Sequence, residues 1–245
     1  MKHYKIYVIR KKSILLIILF FVIFIALTFF ICKNFKNITV NKFEDPKNRV
    51  IVIDPGHGGI DGGASKDGLL EKDVNLDISL KLKGSLLAKG YKIVMTREDD
   101  SSLEGLYEGS GSRHQKDLKA RVEIINSSNA QLFVSVHCNC HTKNPNADGS
   151  IVLYSDKFPQ NKAIAYCIQR SLNNIAVDGR KRTVHDPQRF ANLLILNTSK
   201  IPGILVETAF LTNQKEHNLL KEERFKEQIA DTIANGIDIY LSLNK

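Results

Sequence analysis

Val52-Ile-Asp-Pro-Gly-His-Gly-Gly-Ile-Asp-Gly-Gly-Ala64 is the stretch on which the reading of this chain turns. It continues the apolar run Val50–Ile53, which Pro55 brings to an end. A short, β-branched run bounded by turn residues reads as a buried strand. The glycines that follow let the backbone take positive φ and approach a ligand closely, and they present one imidazole, His57. Two phosphate-binding readings fail in detail. A P-loop would need Gly-Lys-Ser/Thr, and a dinucleotide fingerprint starting at Gly56 and Gly58 would need glycine where Asp61 stands. Taken alone, the segment fits a tight turn with a surface histidine equally well.

Outward from this point the same kind of run recurs at Ile93–Met95, Leu132–Val136, Ile151–Leu153, Leu193–Leu196 and Ile204–Val206. Between the runs lie helical candidates near residues 72–89, 117–127, 160–175 and 225–242. Alternation of strand and helix predicts an α/β domain, a three-layer α/β/α sandwich around a mostly parallel sheet of about six strands. One segment is ambiguous. Val74, Leu76, Ile78, Leu80 and Leu82 alternate with polar residues as in a strand, while positions 74, 78, 82 and 86 make a helical stripe. The crossover needed between two parallel strands favours the helix, and Gly90 is placed to end it. Asp99–Ser112, rich in Ser, Gly and acid, reads as a long loop.

The amino-terminal region differs in kind. Ser13–Cys32 is a run of 20 residues without a charge, long enough to cross a bilayer as a helix. Lys2, Lys5, Arg10, Lys11 and Lys12 precede it, as on the cytoplasmic side of an anchor. Phe29, Phe30 and Ile31 offer no small-residue cleavage site, and bulky Ile31 before Cys32 fits no lipobox. The expected organisation is a basic cytoplasmic segment (1–12), one transmembrane helix (13–32), a linker (33–48) and an extracytoplasmic catalytic domain (49–245). The net charge of +9 is concentrated outside that domain: residues 1–49 carry 10 Lys and Arg against 2 acids, and residues 50–245 carry 25 against 24. A nearly neutral domain lacks the electrostatic footprint of phosphate-backbone binding, so no nucleic-acid partner is expected. Four cysteines make no disulfide framework at this size.

Three further motifs join His57. Glu71, in Leu69-Leu-Glu-Lys-Asp-Val-Asn75, precedes the first domain helix, where a carboxylate alone would read as a cap or a partner of the helix dipole. His137 ends an apolar strand in Leu132-Phe-Val-Ser-Val-His-Cys-Asn-Cys-His141, and ligands of parallel sheets bind beyond such strand ends. Glu207 ends another in Pro202-Gly-Ile-Leu-Val-Glu-Thr-Ala-Phe-Leu-Thr-Asn213, where an unpaired buried carboxylate would be costly. Two histidines and two glutamates from separate element ends suit zinc hydrolysis, in which three protein ligands leave a position for water. A thiolate site from Cys138, Cys140 and His141 is the rival; a single Cys-x-Cys fits structural zinc poorly.

In their order and surroundings these four motifs resemble the zinc-dependent N-acetylmuramoyl-L-alanine amidases of the Amidase_3 family, over about residues 50–242. Thr96-Arg97, Arg121 to Phe133 and the stretch containing Glu216 are similar as well. The resemblance implies one Zn²⁺ held by His57, Glu71 and His137, with Glu207 as the catalytic carboxylate. It implies hydrolysis of the amide between the lactyl group of muramic acid and L-alanine in peptidoglycan. Thr208-Ala209 departs from the family, which usually has glycine before the Phe. With an anchor, one bare domain and no wall-binding repeats, the chain is most similar to sporulation amidases of the CwlD type. Those strip stem peptides in spore cortex on the way to muramic-δ-lactam. A zinc carboxypeptidase on cell-wall peptides and a silent wall-binding scaffold are the alternatives. The 38 residues between Tyr154 and Leu193 leave little room for a site-blocking helix, so control by a partner protein is expected. Arg180–Arg189 reads as a basic, solvated loop.

Overall fold

The computed structural model describes residues 11–35 and 49–244. They fall in two units, Met1–Phe43 and Glu44–Lys245. In the first, Lys11–Phe35 is one α-helix (α1). Among the described residues no helix is long and apolar enough to cross a membrane, so the anchor expected over Ser13–Cys32 is not shown. Most of the basic segment 1–12 and of the linker 33–48 lies outside the described residues.

The second unit holds β1 (Val50–Pro55), α2 (Glu71–Ala88), β2 (Lys92–Met95), α3 (Arg113–Ser127), β3 (Leu132–Asn139), β4 (Ile151–Tyr154), α4 (Pro159–Leu172), β5 (Gln188–Arg189), α5 (Leu194–Thr198), β6 (Gly203–Phe210), α6 (Gln214–Leu219) and α7 (Glu223–Leu243), with two short hairpins besides. The six strands lie in the order β2-β1-β3-β6-β4-β5. All neighbours are parallel except β6 and β4. Side chains alternate across the central strands. Ile51, Ile53, Val134, Val136, Ile204 and Val206 pack with α2, α4 and α7 on one face. Val52, Phe133 and Leu205 pack with α3 and α5 on the other. The three-layer, mostly parallel architecture is as expected.

The ambiguous segment is helical: Val74, Ile78, Leu82 and Leu86 are buried, while Leu80 faces solvent. One expected strand is not a strand. Leu193–Leu196 opens the short helix α5, with Asn197 N donating to Leu193 O and Ser199 N to Ile195 O. A four-residue aliphatic run carries no period that separates helix from strand. The sixth strand is instead Gln188–Arg189, both exposed, hydrogen-bonded beside Leu153 and Tyr154. The Asp99–Ser112 loop contains one 3₁₀ turn at Glu104–Leu106.

The carboxyl ends of β1, β2 and β3 are tied to α3 by one buried ion pair. Asp54 accepts from Arg121 Nη1 at 2.8 Å, Thr96 Oγ1 at 2.6 Å and Ser135 Oγ at 2.6 Å. Arg121 also donates to Asp117 Oδ2 and to the carbonyls of Pro55 and His57. Burial works against charge on Asp54, but Arg121, Ser135 and Thr96 outweigh it and hold the carboxyl below its usual range. Its folded value is thus below the unfolded one of about 3.9. The stabilisation is complete above that pH and is lost as pH falls through the folded value. Asp54→Ala, which removes one of the two carboxylates on the buried Arg121 guanidinium and the acceptor of Thr96 and Ser135, should cost about 3–5 kcal/mol in urea unfolding at neutral pH. The difference from wild type should shrink below about pH 4.

Candidate metal centre

His57 leaves β1 on the glycine-rich loop with φ of 60°, a conformation uncommon for a residue with a side chain. The loop carbonyls explain how it is held. Arg121 takes those of Pro55 and His57, and Arg97 takes those of Pro55, Gly56 and Lys72. Glycine is required where the loop meets the site. A Cβ on Gly56 would lie 2.2 Å from the His137 ring, and one on Gly63 would lie 2.6 Å from Glu71 Oε2.

Glu71 is the first residue of α2 and is buried. Its Oε2 accepts from Ala64 N at 2.9 Å. Its Oε1 lies 3.2 Å from His57 Nε2 and 3.1 Å from His137 Nδ1. The two rings stand 5.0 Å apart at 78°. One donor atom from each of the three residues lies within 4.8 Å of the others, and among the described residues this is the group that could hold a metal ion. Tetrahedral zinc with bonds of about 2.1 Å places its ligand atoms about 3.4 Å apart, a spacing that the two Glu71–imidazole distances approach.

The electrostatics favour a cation at the same point. Burial opposes charge on His57, yet Glu71 and Asp61 outweigh it and raise its pKa to about 9. Burial likewise opposes charge on Glu71, but His137 and His57 hold its carboxyl well below the usual range. A carboxylate set between two imidazoles favours a proton or a metal ion between them. Asp61 Oδ2 lies 2.9 Å from His57 Nδ1, and its Oδ1 accepts from Gly63 N. That arrangement fixes the ring so that Nε2 faces Glu71.

Glu207 stands beside this group because β6 runs parallel to β3 with Glu207 opposite His137. Its Oε2 is buried with no hydrogen-bond partner, and burial raises its carboxyl to about 7. Thr208, beside the Ala209 that stands where the family usually has glycine before the Phe, donates from Oγ1 to His137 O at 2.9 Å and so ties the two strand ends together. A cleft of about 280 Å³ opens beside His57 and His137, walled by Arg121, Leu118 and Asn192–Ile195.

All four residues singled out from the sequence therefore converge. The rival thiolate set does not. Cys138 is buried against Thr208, Cys140 is exposed, and His141 Nδ1 accepts from Asn144 N. Sequence reasoning gave no role to Asp61, although a carboxylate four residues from a candidate ligand in the same loop is a signal of ring orientation. It also missed Arg182, which leaves the basic loop to pair, buried, with Glu216 and to donate to Thr208 O at 3.0 Å.

Residues 51–238 match the Amidase_3 family, described as N-acetylmuramoyl-L-alanine amidase. The germination-specific N-acetylmuramoyl-L-alanine amidase of Bacillus subtilis is 34% identical over 79% of this chain and 80% of its own length. The amidase LytC of the same organism is 35% identical over 82% of this chain but 37% of its own length. Among solved structures, the CwlD amidase of Clostridioides difficile in complex with the GerS lipoprotein is 37% identical. It covers 80% of this chain and 100% of that one, with a TM-score of 0.72. The amidase AmiC2 of Nostoc punctiforme, 34% identical, covers 79% and 97% with a TM-score of 0.65.

The orienting contact of Asp61 can be tested apart from turnover. Asp61→Asn should weaken zinc affinity by about 10- to 100-fold, read by competition with a chromogenic chelator. Unchanged affinity would remove Asp61 from that role.

Proposed function

The chain belongs to the Amidase_3 family of N-acetylmuramoyl-L-alanine amidases, and we propose that it hydrolyses the amide between the lactyl group of muramic acid and L-alanine in peptidoglycan. The observation that carries this reading is the convergence of His57, Glu71 and His137 on one point, with the unpartnered Glu207 carboxylate alongside. His57, Glu71 and His137 are the residues that would hold one Zn²⁺ per chain. When bound, the ion supplies Lewis-acid polarisation of the scissile carbonyl and a water of lowered pKa.

The protein's own groups do the rest. Asp61, Arg97 and Arg121 hold the His57 loop in a single geometry, so the site is set before substrate arrives. Glu207, with a carboxyl near 7, suits proton transfer at neutral pH. In its carboxylate form it takes the proton of the attacking water, and as the acid it passes that proton to the leaving nitrogen of L-alanine while the carbon–nitrogen bond breaks. The cleft walled by Leu118 and Asn192–Ile195 gives the substrate a place beside His57 and His137 on the α3–α5 side.

The germination-specific relative supports spore cortex as the substrate, on the way to muramic-δ-lactam. The solved complex of the CwlD amidase with a lipoprotein supports control by a protein partner. The uncharged run Ser13–Cys32 and the basic residues before it support a single-pass anchor with the domain outside the cytoplasm, on the cortex-facing side.

Glu207→Gln should keep zinc near one equivalent while lowering kcat by about 10²- to 10⁴-fold, with products read by mass spectrometry of muropeptides. Release of whole stem peptides by wild type marks an amidase, and release of single terminal residues would instead mark a carboxypeptidase. Removal of residues 1–32 should move the protein from the membrane fraction to the supernatant, and persistence in the membrane would remove the anchor.

A further inference from the structure

We propose that the buried pair Arg182–Glu216 positions the Glu207 carboxylate by fixing a bulge at the end of β6, an inference that rests on the amidase reading above. Up to Glu207 the strands β3 and β6 run in step, with Glu207 opposite His137. The register then shifts: β6 takes three residues to reach Phe210, while β3 takes two to reach Asn139. One residue of Thr208–Ala209 is therefore extra. A bulge of this kind bends its strand and re-aims the side chains beside it. Glu207 is the residue at which it begins, and no hydrogen bond to Oε2 holds that side chain. The direction of the carboxylate is thus set by the backbone of the bulge.

On the other side of β6, pairing with β4 ends at Ile151, opposite Glu207. Past that point the polar groups of the bulge turn to the ion pair instead. Arg182 Nη2 donates to Thr208 O at 3.0 Å. Ser150 Oγ donates to the same carbonyl at 2.7 Å and accepts from Arg182 Nη1 at 2.8 Å. Glu216 Oε2 accepts from Phe210 N at 2.6 Å. Its Oε1 accepts from Gly149 N at 2.9 Å and from Arg182 Nε at 2.7 Å. One ion pair therefore holds Thr208 and Phe210, on the two sides of Ala209, together with the residues that enter β4. Thr208 Oγ1 passes that hold to His137 O. Of the arginines and the lysine in Arg180–Arg189, Arg182 is the buried one, and its guanidinium lies 5.2 Å from the Phe225 ring. Neither Arg182 nor Glu216 lines the cleft beside His57 and His137, so they act through the strand end and not on the substrate. A planar fork that reaches Glu216, Ser150 and Thr208 at once has no equivalent in a single ammonium.

The test uses the full-length, zinc-loaded protein, a synthetic muropeptide and two variants. R182K keeps a charge opposite Glu216 but loses the fork. R182M/E216M removes both charges together, a replacement that buried pairs often tolerate without loss of stability. Both should unfold near the wild-type urea midpoint and hold about one zinc per chain, with KM within about 2-fold of wild type, while kcat falls by about 10- to 100-fold. A pair that only braced the fold would leave kcat unchanged in a folded variant. A kcat within about 2-fold of wild type in either folded variant, or a loss carried by KM or by zinc content, would overturn the positioning role. If R182M/E216M does not fold, R182K decides on the same terms; failure of both to fold would make the pair a brace for the domain and overturn the role as well. Wild type that cleaves no muropeptide would overturn the amidase reading itself, an outcome read without either variant.

Discussion

The ion pair between Asp54 and Arg121, both almost fully buried, is the interaction on which the rest of the structure depends. Its carboxylate gathers hydroxyls from β2 and β3, and its guanidinium carries the carbonyls of the loop that presents His57. Burying two charges is expensive unless geometry and further hydrogen bonds repay it. Here three further donors of Arg121 are directed at Asp117 and at loop backbone. The pair thus converts a framework of strands into a fixed placement of one imidazole in an uncommon backbone conformation. Arg97, on the carbonyls of Pro55 and Gly56, doubles that hold from the other side.

Parallel pairing then does for His137 and Glu207 what the arginines do for His57. Register alone sets Glu207 opposite His137, and Thr208 fastens the two strand ends. Glu71 reaches the same point from the start of α2, its second oxygen occupied by the Ala64 amide. The consequence is a division between two carboxylates. Glu71, between two imidazoles, is held ionised, while Glu207, buried and without a hydrogen-bond partner on Oε2, is lifted to about 7. One is suited to hold a cation and the other to move a proton.

Much of this was legible in the sequence, and the gaps have physical causes. The central strands announced themselves because both of their faces are buried, which demands unbroken aliphatic runs. The edge strand Gln188–Arg189 is exposed and two residues long, so it left no apolar trace, while in the aliphatic Leu193–Leu196 it is Ile195 and Leu196 that are buried, as part of a helical turn against the sheet. His57 and Glu71 each read alone as a turn residue and a cap, and only their order relative to His137 and Glu207 pointed to a shared site. Asp61 and Arg182 were not legible in those terms, because their roles depend on partners that the fold supplies: His57 across the loop and Glu216 34 positions away.

The ends of separate strands and one helix bring nitrogen and oxygen donors to a single point suited to zinc, with the nearby thiols as bystanders. X-ray absorption at the zinc edge of the purified protein tests it most directly. About one zinc per chain is expected, bound by imidazole nitrogen and carboxylate oxygen at about 2.0–2.2 Å. A sulfur shell at about 2.3 Å would put the metal on Cys138 or Cys140 and contradict it.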